Sequence, residues 1–169
     1  METDQLKFVL SELRFSVWLS DEMLRQIAAV SSLQFFAGGS IVFREGQRGD
    51  DLLLVRRGRL ALEMNVPRRG AVRIMTVGPG EMAGWSALLG EGRMTASAIA
   101  VDDVEVVRAP AEKLQELSET DHEFGYRLMR SVADGLSKRL VATRLQLLDL
   151  FAETPPSASR LDRDPIGDV

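Results

Sequence analysis

The chain has no cysteine in its 169 residues. That removes disulfides, thiolate metal sites, iron–sulfur clusters and cysteine nucleophiles in one step. Histidine is almost as scarce: His122 is the only one, so a histidine metal site would have to borrow ligands from carboxylates or a second subunit. No metal site is expected. Basic charge is not in surplus either. Lys and Arg number 21 against 25 Asp and Glu, a net charge of −4, so no global field recruits nucleic acid or an anionic membrane. No apolar run approaches the ~20 residues of a membrane span, and the start Met1-Glu2-Thr3-Asp4 is acidic where a secretion signal is basic. A cytoplasmic location is expected, with no membrane partner. Catalytic patterns are missing too. There is no Ser/His/Asp set, no paired carboxylates and no phosphate loop with its lysine. His122 reads as a surface or capping residue, and no enzymatic activity is expected.

What is present is an ordinary globular composition, 45% hydrophobic and 27% charged, enough for one domain with its own core. Residues 1–19 form an N-terminal helical segment, with helical apolar spacing from about Gln5 to Leu13. A second helix is expected over Asp21 to Val30, with Ser20 as N-cap and Asp21 and Glu22 in the first turn, where the helix dipole favours them. From Leu33 to Arg108 the pattern changes to short apolar runs punctuated by Gly and Pro. These are 40–43, 52–55, 59–64, 72–77, 96–101 and 104–107. Such spacing predicts a mainly β fold with flanking helices, a compact barrel or jelly roll.

Helix returns at Pro110, which suits a first helical position, and a short helix is expected to about Leu117. Thr120-Asp121-His122-Glu123 reads as a capping box opening a long helix over about 121–152. The domain therefore spans 20–153. Apolar residues Tyr126, Met129, Ala133, Leu136, Leu140, Thr143 (the polar interruption), Leu147 and Leu150 repeat at alternate spacings of three and four, a coiled-coil seam. Leu128, Val132, Leu145 and Leu148 read as a second row beside it. A helix apolar on two faces needs two partners: its own barrel and, most simply, the same helix of a second copy. A homodimer through this helix is expected, with packing of both rows inside one monomer as the alternative. Residues 154–169, beginning Thr154-Pro155-Pro156, lack periodicity and are expected to be disordered.

The most specific segment is Gly80-Glu81-Met82-Ala83-Gly84-Trp85-Ser86-Ala87-Leu88-Leu89-Gly90-Glu91-Gly92-Arg93-Met94-Thr95-Ala96. It runs glycine turn, one helical turn, second glycine turn, then a basic residue leading into a strand. The absence of side chains at Gly80 and Gly84 suits close approach of backbone amides to an anion. Three blocks in order resemble the cyclic nucleotide-binding domain family, in particular the sensory half of CRP/FNR-type regulators. They are 39–60, with Gly46 and Gly58 at turns, the segment just quoted, and the long helix. The resemblance covers about 20–152. It implies a jelly roll carrying a phosphate-binding cassette, with a dimer-forming helix behind it.

The resemblance also implies two ligand-binding residues that this chain lacks. The family's glutamate after the second cassette glycine, which accepts from a ribose hydroxyl, is replaced by Trp85, whose indole only donates and is expected to fill that space. Ser86 beside it has a hydroxyl of short reach. Anchored on Thr95-Ala96, the family's phosphate-binding arginine is replaced by Met94, with Arg93 one residue earlier. Neighbouring residues in a strand point to opposite faces. Arg93 thus points away if it lies in the strand, and swings into the pocket if Gly90-Glu91-Gly92 holds it in the loop.

The expected ligand site is Gly84, Trp85, Ser86, Ala87, Arg93, Met94, Thr95 and Ala96, poorly suited to cyclic AMP or cyclic GMP. Only 16 residues follow Glu153, too few for a helix-turn-helix, and direct DNA binding is not expected. Two readings remain. One is a stand-alone sensor for another small anionic or nucleotide-like ligand. The other is a dimeric scaffold with a pocket self-filled by Trp85 and Met94, acting through a protein partner.

Overall fold

The computed structural model describes residues 3–152. The disorder expected at 154–169 falls outside the described residues. Helix α1 runs Thr3–Ser11, followed by a 3₁₀ turn at Arg14–Trp18 and helix α2 at Asp21–Val30. The first helix begins and ends two residues earlier than expected. Serine side chains close it: Ser11 donates to the Phe8 carbonyl at 2.7 Å and Ser16 to the Leu10 carbonyl, taking up carbonyls that a longer helix would have used. Helix α2 starts as its sequence dictates. The Ser20 hydroxyl accepts from the Met23 amide at 3.3 Å.

Eight strands follow among the described residues: β1 Ser32–Phe36, β2 Ile41–Phe43, β3 Asp51–Arg57, β4 Leu60–Val66, β5 Gly70–Val77, β6 Met82–Ala83, β7 Ser97–Ala100 and β8 Val104–Pro110. They form two antiparallel four-stranded sheets in the orders β1-β8-β3-β6 and β2-β7-β4-β5, the jelly roll that the sequence predicts. Strands β1 and β6 were not foreseen.

Strand β3 explains the continuous run Leu52-Leu53-Leu54-Val55. Side chains alternate across a strand, and here both faces are covered. Leu53 and Val55 join Leu60, Leu62, Val77, Ala98, Val104 and Val106 between the sheets. Leu52 and Leu54 face the other way and join Leu10, Ile27, Leu114, Phe124, Leu128 and Val132 in a second cluster built with the helices.

The β3–β4 turn is held from below by the loop before β8. Gly58 has φ +77, and a Cβ there would collide with the Asp103 carbonyl oxygen and lie 2.9 Å from Asp102 Oδ1. Gly58→Ala is therefore expected to cost more than about 2 kcal/mol, combining a left-handed backbone with an immovable neighbour. Chemical denaturation reads this directly. Asp102 accepts from the Arg59 amide at 2.6 Å and from Arg59 Nε at 2.9 Å. The Arg59 hydrogen bonds hold its carboxyl below the usual aspartate range. A depressed folded pKa gives stability that is complete above the unfolded value and lost as pH falls through the folded one. Denaturation midpoints should fall on acidification in this window, and the Asp102→Asn variant should lack that component.

Helix α3 spans Ala111–Thr120 and helix α4 His122–Ala152. Two boundary expectations are corrected. Pro110 ends β8, opposite Asp51, and caps α3 from outside rather than opening it. The capping box is not formed: the Thr120 hydroxyl donates back to the Glu116 carbonyl, and Asp121 Oδ1 instead accepts from the Glu123 and Phe124 amides at 3.0 and 3.1 Å. Asp121, a better acceptor than a hydroxyl already engaged, is the cap.

The compact body extends to Leu136, and the remainder of α4 from Ser137 is a separate unit. Within the body, Leu128 and Val132 are buried and Leu136 packs at the margin, while Tyr126, Met129 and Ala133 are exposed. Trp18 fastens α4 to the 3₁₀ turn. The Arg130 guanidinium lies 3.6 Å from its ring centroid, and Arg127 donates to its carbonyl at 3.3 Å. In the second unit Leu140, Val141, Thr143, Leu145, Leu147 and Leu148 are all exposed. Leu145 and Leu148 thus differ in environment from Leu128 and Val132, with which the spacing grouped them.

Candidate functional site

The segment between β6 and β7 turns on Gly84, whose φ of 72 and ψ of 18 place it in the left-handed region before the 3₁₀ turn Trp85–Ala87. A methyl at Gly84 would stand 2.7 Å from the Asp51 carbonyl oxygen and 3.4 Å from Met94 Cε, so conformation and space both require glycine. The amides of Ala87, Leu88 and Leu89 are spent inside the turn, on the carbonyls of Gly84 and Trp85.

Backbone pairing with the β2–β3 loop decides where Arg93 and Met94 point. Gly46 donates to the Met94 carbonyl at 2.8 Å, Met94 to the Gln47 carbonyl at 2.8 Å, and Gly49 to the Gly92 carbonyl at 2.7 Å. Arg93 is bridged to Arg48 in this ladder. It is therefore in extended pairing, and its side chain goes outward: it is exposed and donates to the Gly46 carbonyl at 3.0 Å. Met94 goes inward and is 5% exposed. Its terminal methyl occupies the gap that Gly49 leaves, where a Cβ would collide with Met94 Cε and lie 3.3 Å from Ala87 Cβ. A thioether has nothing to donate to an anion.

Of the predicted site residues, Gly84, Ala87 and Met94 come together around Gly49. Ser86 is buried, Ala96 belongs to the cluster between the sheets, and Thr95 is exposed with Arg93. Trp85 is half-buried and packs against the helical cluster, as do Ala87, Leu88 and Leu89 nearby. Its indole is thus engaged with the helical layer. Gln115 of α3 donates to the Leu88 carbonyl at 3.4 Å, tying the end of the turn to the same layer.

Next to Met94 lies a cavity of about 260 Å³ whose other walls sequence reasoning did not single out. Gln34, Phe36, Asp51, Leu53 and Arg108 line it from one sheet, and Val42, Phe43, Gln47, Arg48, Gly49 and Asp50 complete it. Arg108 shares the parity of Val104 and Val106, and Asp51 that of Leu53 and Val55, so both charges stand on the inter-sheet face. They pair at 2.6 Å. A charge at the inward position of each strand was the readable signal for a polar mouth. No group of three or more potential metal-ligating side chains occurs among the described residues, and no helix there is long and apolar enough to cross a membrane.

The sequence profile of the cyclic nucleotide-binding domain matches residues 33–121. A CRP-like cAMP-activated global transcriptional regulator of Mycobacterium tuberculosis is 30% identical over 122 residues, 71% of this chain and 52% of that protein. A cGMP-dependent protein kinase, isozyme 1, of Drosophila melanogaster is 33% identical over 85 residues, 49% of this chain and 11% of the kinase. The chain thus spans about half of the regulator's length and far less of the kinase's. A crystal structure named for cyclic nucleotide binding, from Geobacter metallireducens, superposes with a TM-score of 0.70 at 32% identity, covering 83% of this chain and 98% of that one. The jelly roll, the glycine-framed turn between β6 and β7 and these matches agree: the chain belongs to the cyclic nucleotide-binding domain family.

Proposed function

We propose that this member is a dimeric regulatory domain whose cassette has lost the recognition chemistry for cyclic AMP and cyclic GMP. The observation that carries the reading is Met94, a buried thioether between Gly49 and Gly84, with the adjacent arginine turned outward. The resemblance that places an arginine at this strand start makes the loss specific to phosphate. Isothermal titration with each nucleotide tests it.

The dimer part of the reading rests on exposed apolar side chains at seam spacing. Tyr126 is 60% exposed and Leu147 51%, and exposed apolar side chains repeated along one helix suit an interaction surface better than single scattered ones do. The alternative partner for this face is a different protein. Sequence-specific DNA contact forms no part of the proposal: net charge is −4, and Arg127 and Arg130, on α4, are engaged with Glu123 and Trp18. Signalling is assigned to the cytoplasm, as the sequence reading has it.

A scaffold that needs no ligand is the second reading, favoured by the same Met94 packing, since the thioether already fills the gap beside Gly49. A thermal-shift screen separates the two. Stabilisation by a phosphorylated or carboxylated metabolite supports a sensor, and none across nucleotides, phosphometabolites and lipids supports the scaffold.

A further inference from the structure

We propose that the cavity beside Met94 binds a small monocarboxylate with an aromatic body, held by Arg108. Asp51, its side chain only 15% exposed, accepts from Arg108 Nε at 2.6 Å. That bond spends one edge of the guanidinium and holds it at the cavity wall, which both residues line. The two terminal nitrogens have no partner among the described residues. Gln34 of β1 lies opposite Val106 and shares its inter-sheet parity. It is half-buried, lines the same cavity, and its side-chain amide is likewise without a partner among the described residues. Arg48 and Asp50 differ: both are exposed at the parity opposite to Gly49, and Arg48 is bridged to the outward Arg93.

The unspent groups are mostly donors. A guanidinium held at Nε keeps two parallel N–H bonds at its tip, the arrangement that takes a carboxylate bidentately. The Gln34 NH₂ adds a further donor. Asp51 orients the fork and the ligand carboxylate takes the terminal edge, so one cation serves two anions. A dianion would be repelled more strongly by Asp51 and would leave the apolar walls unused. A cation would find Asp51 already bonded and meet the Arg108 guanidinium as a like charge. The remaining surface is apolar. Phe36, Val42 and Phe43 line the cavity while packing against the inter-sheet cluster, beside Leu53 and Met94. Two phenyl rings in the wall favour an aromatic body. The volume of about 260 Å³ equals about nine liquid waters at roughly 30 Å³ each, room for one ring with a short acid arm.

Such a site gives the sensor reading a ligand class. It rests on Arg108 and Gln34, whereas the loss of nucleotide binding rests on Met94, so either can fail alone. Calorimetric titration of the whole chain with phenylacetate is the test, with phenylacetamide (same shape, no charge) and acetate (no ring) as controls. Saturable phenylacetate binding is expected, each control being weaker by about tenfold or more. Arg108→Lys keeps a positive charge facing Asp51 and removes the fork, and Gln34→Leu removes the amide. Each should weaken phenylacetate by about tenfold, and melting curves check that both variants fold. The proposal is overturned if phenylacetate gives no saturable heat up to roughly 10 mM. It is equally overturned if phenylacetamide or acetate binds as tightly as phenylacetate, or if either variant, folded, binds it undiminished.

Discussion

Titrated with cyclic AMP or cyclic GMP, the protein is expected to show no saturable binding below about millimolar concentration. The argument is one of missing partners. A buried phosphate without its arginine forfeits about 2–5 kcal/mol, and a ribose hydroxyl without its acceptor a further ~1–3 kcal/mol. At 1.4 kcal/mol per tenfold, the smaller sum already moves a micromolar site to the hundred-micromolar range, and the middle of the range moves it past millimolar. Two variants sharpen the result. Met94→Arg returns a guanidinium to the inward position, with the neighbouring cavity to accommodate its length, and is expected to strengthen nucleotide binding by about tenfold or more. Arg93→Ala is expected to change nothing, since that side chain is outside the fold and bonded to Gly46. A micromolar dissociation constant for the unaltered chain would sink the reading. A nucleotide affinity that falls on Arg93→Ala would show the outer arginine swinging inward.

The second large effect concerns assembly. Sedimentation equilibrium is expected to give twice the 18.7 kDa chain mass, and the double substitution Leu140→Glu with Leu147→Glu to give the monomer. Each leucine is about half exposed in the single chain. Burying the remainder against a partner helix contributes about 1 kcal/mol or more per side chain, and four side chains change in a dimer. Adding like charges in a seam raises the cost further. Dissociation should therefore be facilitated by about a thousandfold or more. Neither residue lies in the compact body, which ends at Leu136, so the variant should keep the melting behaviour of that body. A monomeric parent protein, or an undiminished dimer in the variant, refutes the helix seam.

Much of the fold was legible because its signals are local. Ser20 announced a helix start, since a hydroxyl reaching the Met23 amide needs only three residues. The glycines at 46, 58, 80 and 84 announced turns, and all four have positive φ. Strand β6 stayed hidden because two residues carry no periodicity; Met82 and Ala83 form a strand only by pairing with Leu54 and Leu53. The cap of α4 was displaced by one residue because Thr120 could serve either the helix it ends or the helix that follows. In the structure it serves the helix it ends, donating to the Glu116 carbonyl.

The site was legible in its layout and not in its packing. Sequence alone left two orientations for Arg93. The choice between them rests on Gly46, Gln47 and Gly49, more than forty residues away in the chain, whose backbone groups fix the register of Met94. Trp85 offered no local sign that it belongs to the helical layer, because Leu10, Ile27 and Phe124, of the cluster it packs against, come from three different helices. Arg108 and Asp51 did carry a sign, charge at an inward strand parity, but that parity becomes meaningful only when the pairing of β3 with β8 is known.

Strand β3 has a thermodynamic consequence of its own. Its four central residues are buried on two sides, alternately in the inter-sheet cluster and in the helical cluster. Neither cluster can open without stripping one face of the same strand, so the two cannot melt in separate steps. Amide hydrogens of Leu52 to Val55 should accordingly exchange only through global unfolding, at a common rate and slower than those of α1 or β5. The strand works as a shared wall, and a disturbance on its barrel side is felt by the helices at once.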